Sequence, residues 1–281
     1  MYETLTEADF SRHFMPRLAV PDHETWLAED FALGTTIRER LTHRRNERYG
    51  PGPLQVVDLF PAEAPNSPIF VFIHGGYWRA LSKDHFSYIA EPLLDAGAAV
   101  AMVDYDLCPA VSLATVVAQI AQSIAWIRGQ ARTINGDPDR LIVSGNSAGA
   151  HLAAMMLSHD WNEAGPRSFI QGAVLVTGIY DLAPISHIQV REDVALGAPD
   201  IEALSPLRLA PLVKAPVVVA VGGAEPELWI DQSARYHRKL TDAGLESEYM
   251  VLPGHHHFSI SRCLAEPEGM LFRAMRRLLG S

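Results

Sequence analysis

The most informative segment of the sequence is Ser144-Gly145-Asn146-Ser147-Ala148-Gly149-Ala150-His151, which contains the pattern Gly-x-Ser-x-Gly. The β-branched run Leu141-Ile142-Val143 precedes it, and the helix-forming run Leu152-Ala153-Ala154-Met155-Met156-Leu157 follows. Between a strand and a helix, this pattern places its serine on a sharp turn that only small flanking residues allow. The free N–H groups and the dipole of the helix N-terminus favour negative charge there. We therefore predict that Ser147 is a nucleophile.

The composition indicates one globular domain of residues 1–281 and excludes several classes of partner. Hydrophobic residues make up 48% of the chain, which suffices for a buried core. The net charge of −10 comes without a basic stripe, so we expect neither nucleic acid nor a membrane surface as a partner. The two cysteines, Cys108 and Cys263, are too far apart in sequence for a disulfide framework or a zinc motif.

The N-terminus shows neither a signal peptide nor an apolar run of membrane-spanning length, so we expect a cytoplasmic location. We expect a small molecule as the substrate. The sequence does not decide whether the chain forms a homodimer.

Apolar runs alternate with helical patterns along most of the chain. Strands are predicted at residues 54–60, 68–73, 98–103, 141–143, 172–177, 215–221 and 246–252. Helices are predicted at residues 24–31, 112–130, 152–157, 228–243 and 270–279. This alternation predicts an α/β fold with a mostly parallel central sheet and helices on both faces. The charged stretch at 38–48 is predicted to be exposed, and residues 1–50 and 178–214 are predicted to cover the site.

A serine nucleophile needs a base, and three adjacent histidines follow the last predicted strand: His255, His256 and His257. In this type of fold the base comes last in the chain order Ser, Asp or Glu, His. We interpret His255 and His256 as ordinary loop residues. A metal site is disfavoured, because adjacent side chains do not readily converge on one ion and no carboxylate cluster lies nearby in sequence.

The acid that orients the base is expected after the preceding strand, where the sequence offers Glu225, Glu227 and Asp231. We favour Glu225, which follows the strand most closely and still lies in the loop. Glu227 and Asp231 fall at or inside the next helix, where acidic residues stabilise the first turn. Both remain alternatives.

Donors for a negatively charged oxygen are expected at two places. One is the backbone N–H of Ala148, directly after the nucleophile. The other is the segment His74-Gly75-Gly76-Tyr77-Trp78 after the second predicted strand. Gly75 and Gly76 would let the backbone turn its N–H groups toward Ser147.

The motif His74-Gly75-Gly76-Tyr77-Trp78 resembles the HGGxW motif of kynurenine formamidases (arylformamidases), which have the α/β-hydrolase fold and are related to hormone-sensitive-lipase-type carboxylesterases. Those esterases usually carry a third glycine where this chain has Tyr77. Three other segments are similar to formamidases, namely Ala19-Val20-Pro21-Asp22-His23, Tyr105-Asp106-Leu107-Cys108-Pro109 and Gly178-Ile179-Tyr180-Asp181-Leu182.

The resemblance implies Ser147 as nucleophile, His257 as base and the Glu225 position as acid, although animal members carry Asp there. It also implies that the N–H groups of Gly76, Tyr77 and Ala148 form the oxyanion hole.

The implied activity is cofactor-free hydrolysis of an N-formyl aryl amide such as N-formylkynurenine. Tyr77 and Trp78 are expected to contact the substrate, because their bulk would narrow the acyl side or stack on an aryl group. Two alternatives are kept. One is a carboxylesterase or thioesterase acting on short acyl groups, and the other is a non-catalytic binding protein on the same fold.

Overall fold

One central sheet organises the computed structural model of the chain, which describes residues 2–161 and 168–280. Within these residues the sheet has eight strands in the spatial order β1-β2-β4-β3-β5-β6-β7-β8. The strands are β1 (Arg44–Arg48), β2 (Val56–Phe60), β3 (Ser67–Ile73), β4 (Ala99–Val103), β5 (Gly136–Asn146), β6 (Ile170–Val176), β7 (Val217–Gly222) and β8 (Ser247–Leu252). The β1–β2 and β2–β4 pairs are antiparallel. The remaining pairs, from β4 through β3 to β8, are parallel.

Helices cover both faces of the sheet, as the alternation in the sequence predicts. Their bounds are α1 (Glu7–Phe14), α2 (Pro16–Ala19), α3 (His23–Arg40), α4 (Ala90–Asp95), α5 (Leu113–Gln130), α6 (Ala148–Leu157), α7 (Ala198–Leu204), α8 (Glu227–Asp242) and α9 (Met270–Leu279). Short 3₁₀ helices occupy Lys83–Ile89, Ala131–Ile134, Ala183–His187, Gln189–Glu192, Pro206–Arg208 and Ser259–Ala265. The predicted fold class is confirmed.

Strand β3 is an unbroken apolar run from Pro68 to Ile73, and both of its faces are covered. Ile69, Val71 and Ile73 belong to the core on one face of the sheet, whereas Phe70 and Phe72 belong to the core on the other. Successive side chains of a strand point to opposite faces, so a strand covered on both faces must be apolar at every position.

The sheet places the carboxyl ends of β3 and β5 side by side, with Ile73 paired to Gly145. In open α/β sheets, ligands bind beyond the carboxyl ends of the strands. The segment beginning at His74 and the turn containing Ser147 therefore meet at one edge of the sheet.

Two predicted elements differ from the structure. The charged stretch at 38–48 contains the end of helix α3 and the edge strand β1, because an edge strand can carry charged side chains that face water. The strand predicted at 141–143 is longer and runs from Gly136 to Asn146. Asn135, directly before it, has left-handed backbone geometry.

The segment 178–214 contains short helices and loops, as predicted. Among the described residues, none of the helices has the length and apolar character needed to cross a membrane.

Candidate active site

Ser147 lies on the turn between β5 and α6, with φ 55° and ψ −118°. A positive φ is costly for a residue with a side chain, and such strain concentrates at functional sites. The two flanking glycines make the turn sterically feasible. A Cβ on Gly149 would overlap the carbonyl oxygen of Ile73, and one on Gly145 would overlap the carbonyl group of Gly149. The Gly-x-Ser-x-Gly pattern therefore allows α6 to lie directly against β3 and β5.

His257 follows β8 and connects Ser147 to a carboxylate. Its Nε2 lies 3.0 Å from Ser147 Oγ, and its Nδ1 lies 2.7 Å from Glu225 Oε2. Because an ionised carboxylate can only accept hydrogen bonds, Nδ1 carries the ring proton and its N–H donates a hydrogen bond to Glu225. Nε2 of the neutral ring is then the acceptor for the Ser147 hydroxyl, which is the arrangement that a general base requires.

Among the three acid candidates, the structure brings Glu225 to the base. Its side chain is 0% exposed, and its Oε1 accepts hydrogen bonds from the N–H of Gly222 at 3.0 Å and from the hydroxyl of Thr177. Glu227 begins helix α8, and Asp231 lies within α8 at 3.8 Å from Arg235.

Two residues around the base were not identified from the sequence. Thr177, directly after β6, holds Glu225 through its hydroxyl and lies 3.4 Å from His257 Nδ1. The indole of Trp229 meets the His257 ring edge-on at 4.7 Å and donates to the carbonyl of Thr177 at 3.0 Å. Thr177 lies at the carboxyl end of a predicted strand, and this position could have identified it as a candidate site residue. Nothing in the sequence pattern singles out Trp229.

The other two histidines of the loop point elsewhere. His255 lies 3.5 Å from Cys263 Sγ, and His256 meets the ring of Trp26 in helix α3 at 4.9 Å. Burial lowers the pKa of His256. Within residues 2–161 and 168–280, no three His, Cys, Asp or Glu side chains are grouped closely enough to hold a metal ion.

The segment after β3 has the backbone conformation expected of an oxyanion loop. Gly76 has φ 112° and Tyr77 has φ 52°, and a Cβ on Gly76 would overlap the carbonyl of Ala80. Among the described residues, neither the Gly76 nor the Tyr77 N–H has a hydrogen-bond acceptor. Ala148 is the first residue of α6, and the N–H groups of a first helical turn have no intrahelical acceptor.

Gly75 differs from its neighbours in this loop. A Cβ at this position would lie 2.8 Å from Asn146 Oδ1 and 3.2 Å from Ser147 Cβ. The carbonyl of Gly75 accepts a hydrogen bond from His74 Nδ1 at 2.7 Å. The structure therefore gives Gly75 the task of close approach to the nucleophile turn, and its backbone is fixed by the buried His74.

Trp78 does not have the surroundings predicted for a substrate contact, and this prediction is corrected. Its side chain is 0% exposed and is absent from the cavity wall at Ser147. Its indole N–H donates to His151 Nδ1 at 3.2 Å, and His151 Nε2 donates to the carbonyl of Leu204 at 2.8 Å. Trp78 is therefore a buried anchor of the loop. Tyr77, in contrast, lines the cavity, and its hydroxyl donates to the carbonyl of Phe14.

The buried His151 gives a pH-dependent prediction. Burial lowers its pKa from 6.5 to about 4. Between these values the unfolded chain binds a proton that the folded chain does not, so stability is lost as the pH falls from 6.5 toward 4. The loss amounts to about 3 kcal/mol for this group. We expect His151→Gln to reduce this pH dependence, whatever it costs in stability at pH 7. Urea unfolding at several pH values between 4 and 6.5 measures the slope of the unfolding free energy against pH.

Replacement of the exposed His187 by Gln is the control, and its slope should match that of the wild type. Equal slopes for wild type and His151→Gln would contradict the assignment.

A cavity of about 60 Å³ lies over Ser147 and His257. Gly76 and Tyr77 line it. The N-terminal segment contributes five further lining residues, namely Met15, Pro16, Arg17, Leu27 and Asp30. Of the described residues in 178–214, none lines this cavity, but Asp193 of this segment pairs with the lining residue Arg79.

Comparison with known proteins shows the family to which the chain belongs. Residues 70–260 match a family model described as the alpha/beta hydrolase fold. The chain belongs to the α/β-hydrolase family. Kynurenine formamidase from Danio rerio is 33% identical to this α/β hydrolase over 83% of the chain and 80% of its own length. Kynurenine formamidase from Salmo salar is 30% identical over 99% of the chain and 98% of its own length.

A solved structure from Silicibacter sp. TM1040, described as a candidate thioesterase, is 29% identical to the α/β hydrolase. The two superpose with a TM-score of 0.82, over 95% of this chain and 97% of that one. The predicted resemblance to kynurenine formamidases is confirmed, and the chain is a serine hydrolase. These relatives do not support the alternative of a non-catalytic binding protein.

Proposed function

We propose that this α/β hydrolase cleaves N-formyl aryl amides such as N-formylkynurenine, with Ser147 as nucleophile, His257 as base and Glu225 as acid. The observation that carries the proposal is the continuous line of contacts from Glu225 through His257 to Ser147 at the floor of the cavity. The substrate class is supported by the two relatives named kynurenine formamidase.

In the first half of the reaction, His257 Nε2 removes the proton of Ser147 Oγ as the oxygen attacks the formyl carbon. The carbonyl electron pair moves to the oxygen and gives a tetrahedral intermediate. The same His257 proton then passes to the amide nitrogen as the C–N bond breaks, releasing the aryl amine and leaving a formyl ester on Ser147. Glu225 stabilises the imidazolium that exists between the two proton transfers.

In the second half, water attacks the formyl ester, and His257 accepts the proton of that water. The imidazolium returns the proton to Ser147 Oγ, which restores the enzyme and releases formate. In both halves the N–H groups of Gly76, Tyr77 and Ala148 would stabilise the negatively charged oxygen. Each such donor is worth roughly 3 to 4 kcal/mol in related hydrolases.

The lining of the cavity supports a small acyl group. Tyr77 lines the cavity that contains Ser147, and its hydroxyl donates to the carbonyl of Phe14. Where a glycine would leave open backbone, the Tyr77 ring would narrow the space for an acyl group. A formyl group is the smallest acyl unit, so its hydrolysis needs the least room there.

The test is kcat/KM across formyl, acetyl, butyryl and hexanoyl derivatives of one aryl leaving group. We expect the formyl and acetyl substrates to react far faster than butyryl and longer ones. Aryl formamides should react at rates comparable to aryl acetates. Efficiency that rises with acyl length, with aryl formamides untouched, would contradict the proposal.

A second candidate function is a short-acyl thioesterase or carboxylesterase, supported by the structure from Silicibacter sp.. Preference for short acyl thioesters without any formamide cleavage would favour this candidate.

For the organisation of the chain, we propose a single domain of residues 1–281 in which the N-terminal segment covers the site. The residues Met15, Pro16, Arg17, Leu27 and Asp30 support this, because they line the cavity that contains Ser147. The expected partner is a small-molecule substrate.

A further inference from the structure

Charged side chains at the cavity differ in whether another residue neutralises them. Among the described lining residues, Arg17, Asp30 and Arg79 carry a formal charge. Asp30 is bound by Arg262, with Nε of the arginine 2.8 Å from Oδ1, and Arg79 is bound by Asp193. Arg17 is exposed, and within residues 2–161 and 168–280 no ion pair or hydrogen bond joins its guanidinium to another residue.

We propose that Arg17 binds a carboxylate on the leaving-group part of the substrate. The inference rests on the proposed function and deepens it, because it states which aryl formamides the site prefers. A guanidinium presents two parallel N–H donors that match the two oxygens of a carboxylate, so a free arginine at a cavity wall suits this anion.

The surroundings of Arg17 support an aromatic substrate with an anionic end. Apolar side chains of Met15, Leu27 and Phe258 line the same cavity and suit an aryl ring. The charge of the whole chain is −10, so an anion is repelled over most of the surface. An unpaired guanidinium in the wall of the cavity that contains Ser147 offers a local attraction, which points to carboxylate-bearing aryl formamides, including those that carry an amino-acid side chain.

The experiment compares substrates that differ only in this charge. The formamide pair is 3-formamidobenzoate and 3-formamidobenzamide, and the ester pair is 3-acetoxybenzoate and 3-acetoxybenzamide. For each pair, the ratio of kcat/KM for the carboxylate to that for the amide measures the preference. We expect the wild type to prefer the carboxylate and Arg17→Gln to lower the ratio roughly threefold to tenfold, mainly through KM. Arg17→Lys should restore part of the carboxylate preference that Arg17→Gln loses. Added salt should weaken the carboxylate preference of the wild type.

The matched control is Arg12→Gln in the same N-terminal segment. Arg12 is also an exposed arginine, with its side chain 70% exposed, but it pairs with Asp9 at 2.7 Å and is absent from the cavity wall. Its replacement should leave the ratio unchanged. A ratio that Arg17→Gln does not alter, or that Arg12→Gln lowers equally, would overturn the inference.

The two pairs also separate this inference from the proposed function. If the wild type cleaves the esters but neither formamide, the proposed function fails, and the ester pair still measures the contribution of Arg17. If it cleaves the formamides with a ratio insensitive to Arg17, the proposed function stands and the inference fails.

Discussion

Replacing Ser147 by Ala is expected to abolish turnover while the protein stays folded. The hydroxyl 3.0 Å from His257 Nε2 is the proposed attacking group, and alanine offers no nucleophile. Losses of this kind reach roughly 10⁴-fold or more in related serine hydrolases. The side chain is small, and the backbone at φ 55° is held by the glycines around it, so the melting temperature should change little. Initial rates and thermal unfolding of the same preparation measure both quantities.

Ser144 provides the matched control for this variant. It lies three residues earlier in β5, and its buried hydroxyl has no hydrogen-bond partner among the described residues. Ser144→Ala should therefore keep most of the activity. Substantial turnover in Ser147→Ala with an unchanged melting temperature would exclude Ser147 as the nucleophile.

Replacing His257 by Ala is expected to be about as damaging as losing Ser147, because nucleophile and base act as a unit. Without the imidazole, Ser147 keeps its proton and the leaving amine receives none. His256→Ala is the control, since His256 is the adjacent histidine and contacts Trp26 instead of Ser147. It should lose much less activity. Loss of activity in His256→Ala, with His257→Ala active, would show that the base is the neighbouring residue.

The fold could be predicted because its signals are local. Strand β3 is apolar from Pro68 to Ile73 because both its faces are covered, and the spacing in Leu113–Gln130 marks one packed face of a helix. Strand β1 carries charges at the sheet edge, where packing imposes no apolar pattern, and it therefore has no signal of this kind.

The contacts at the candidate site follow from chain order. The sequence places Ser147, Glu225 and His257 each just after a predicted strand, and parallel strands bring their carboxyl ends to one edge. That order is enough to favour Glu225 over Glu227 and Asp231 before any coordinates are considered. The structure brings the three favoured side chains into contact.

Side-chain direction within a loop was not predictable. Tyr77 and Trp78 are adjacent and both have positive φ, yet the first lines the cavity and the second is buried against His151. Which of the two side chains is buried in the core depends on a hydrogen-bond acceptor, His151, that lies 73 residues after Trp78 in the chain. The sequence predicted that residues 1–50 cover the site, but it could not show which of them, such as Met15 and Arg17, line the cavity, because that depends on how α1–α3 pack.

Incubation of the wild-type protein with N-formylkynurenine, with measurement of the released kynurenine and formate, tests the proposed activity. We expect equimolar products with a kcat/KM comparable to that for phenyl acetate, and no release by Ser147→Ala. Hydrolysis of phenyl acetate by a preparation that leaves N-formylkynurenine intact would show that the protein is not a formamidase.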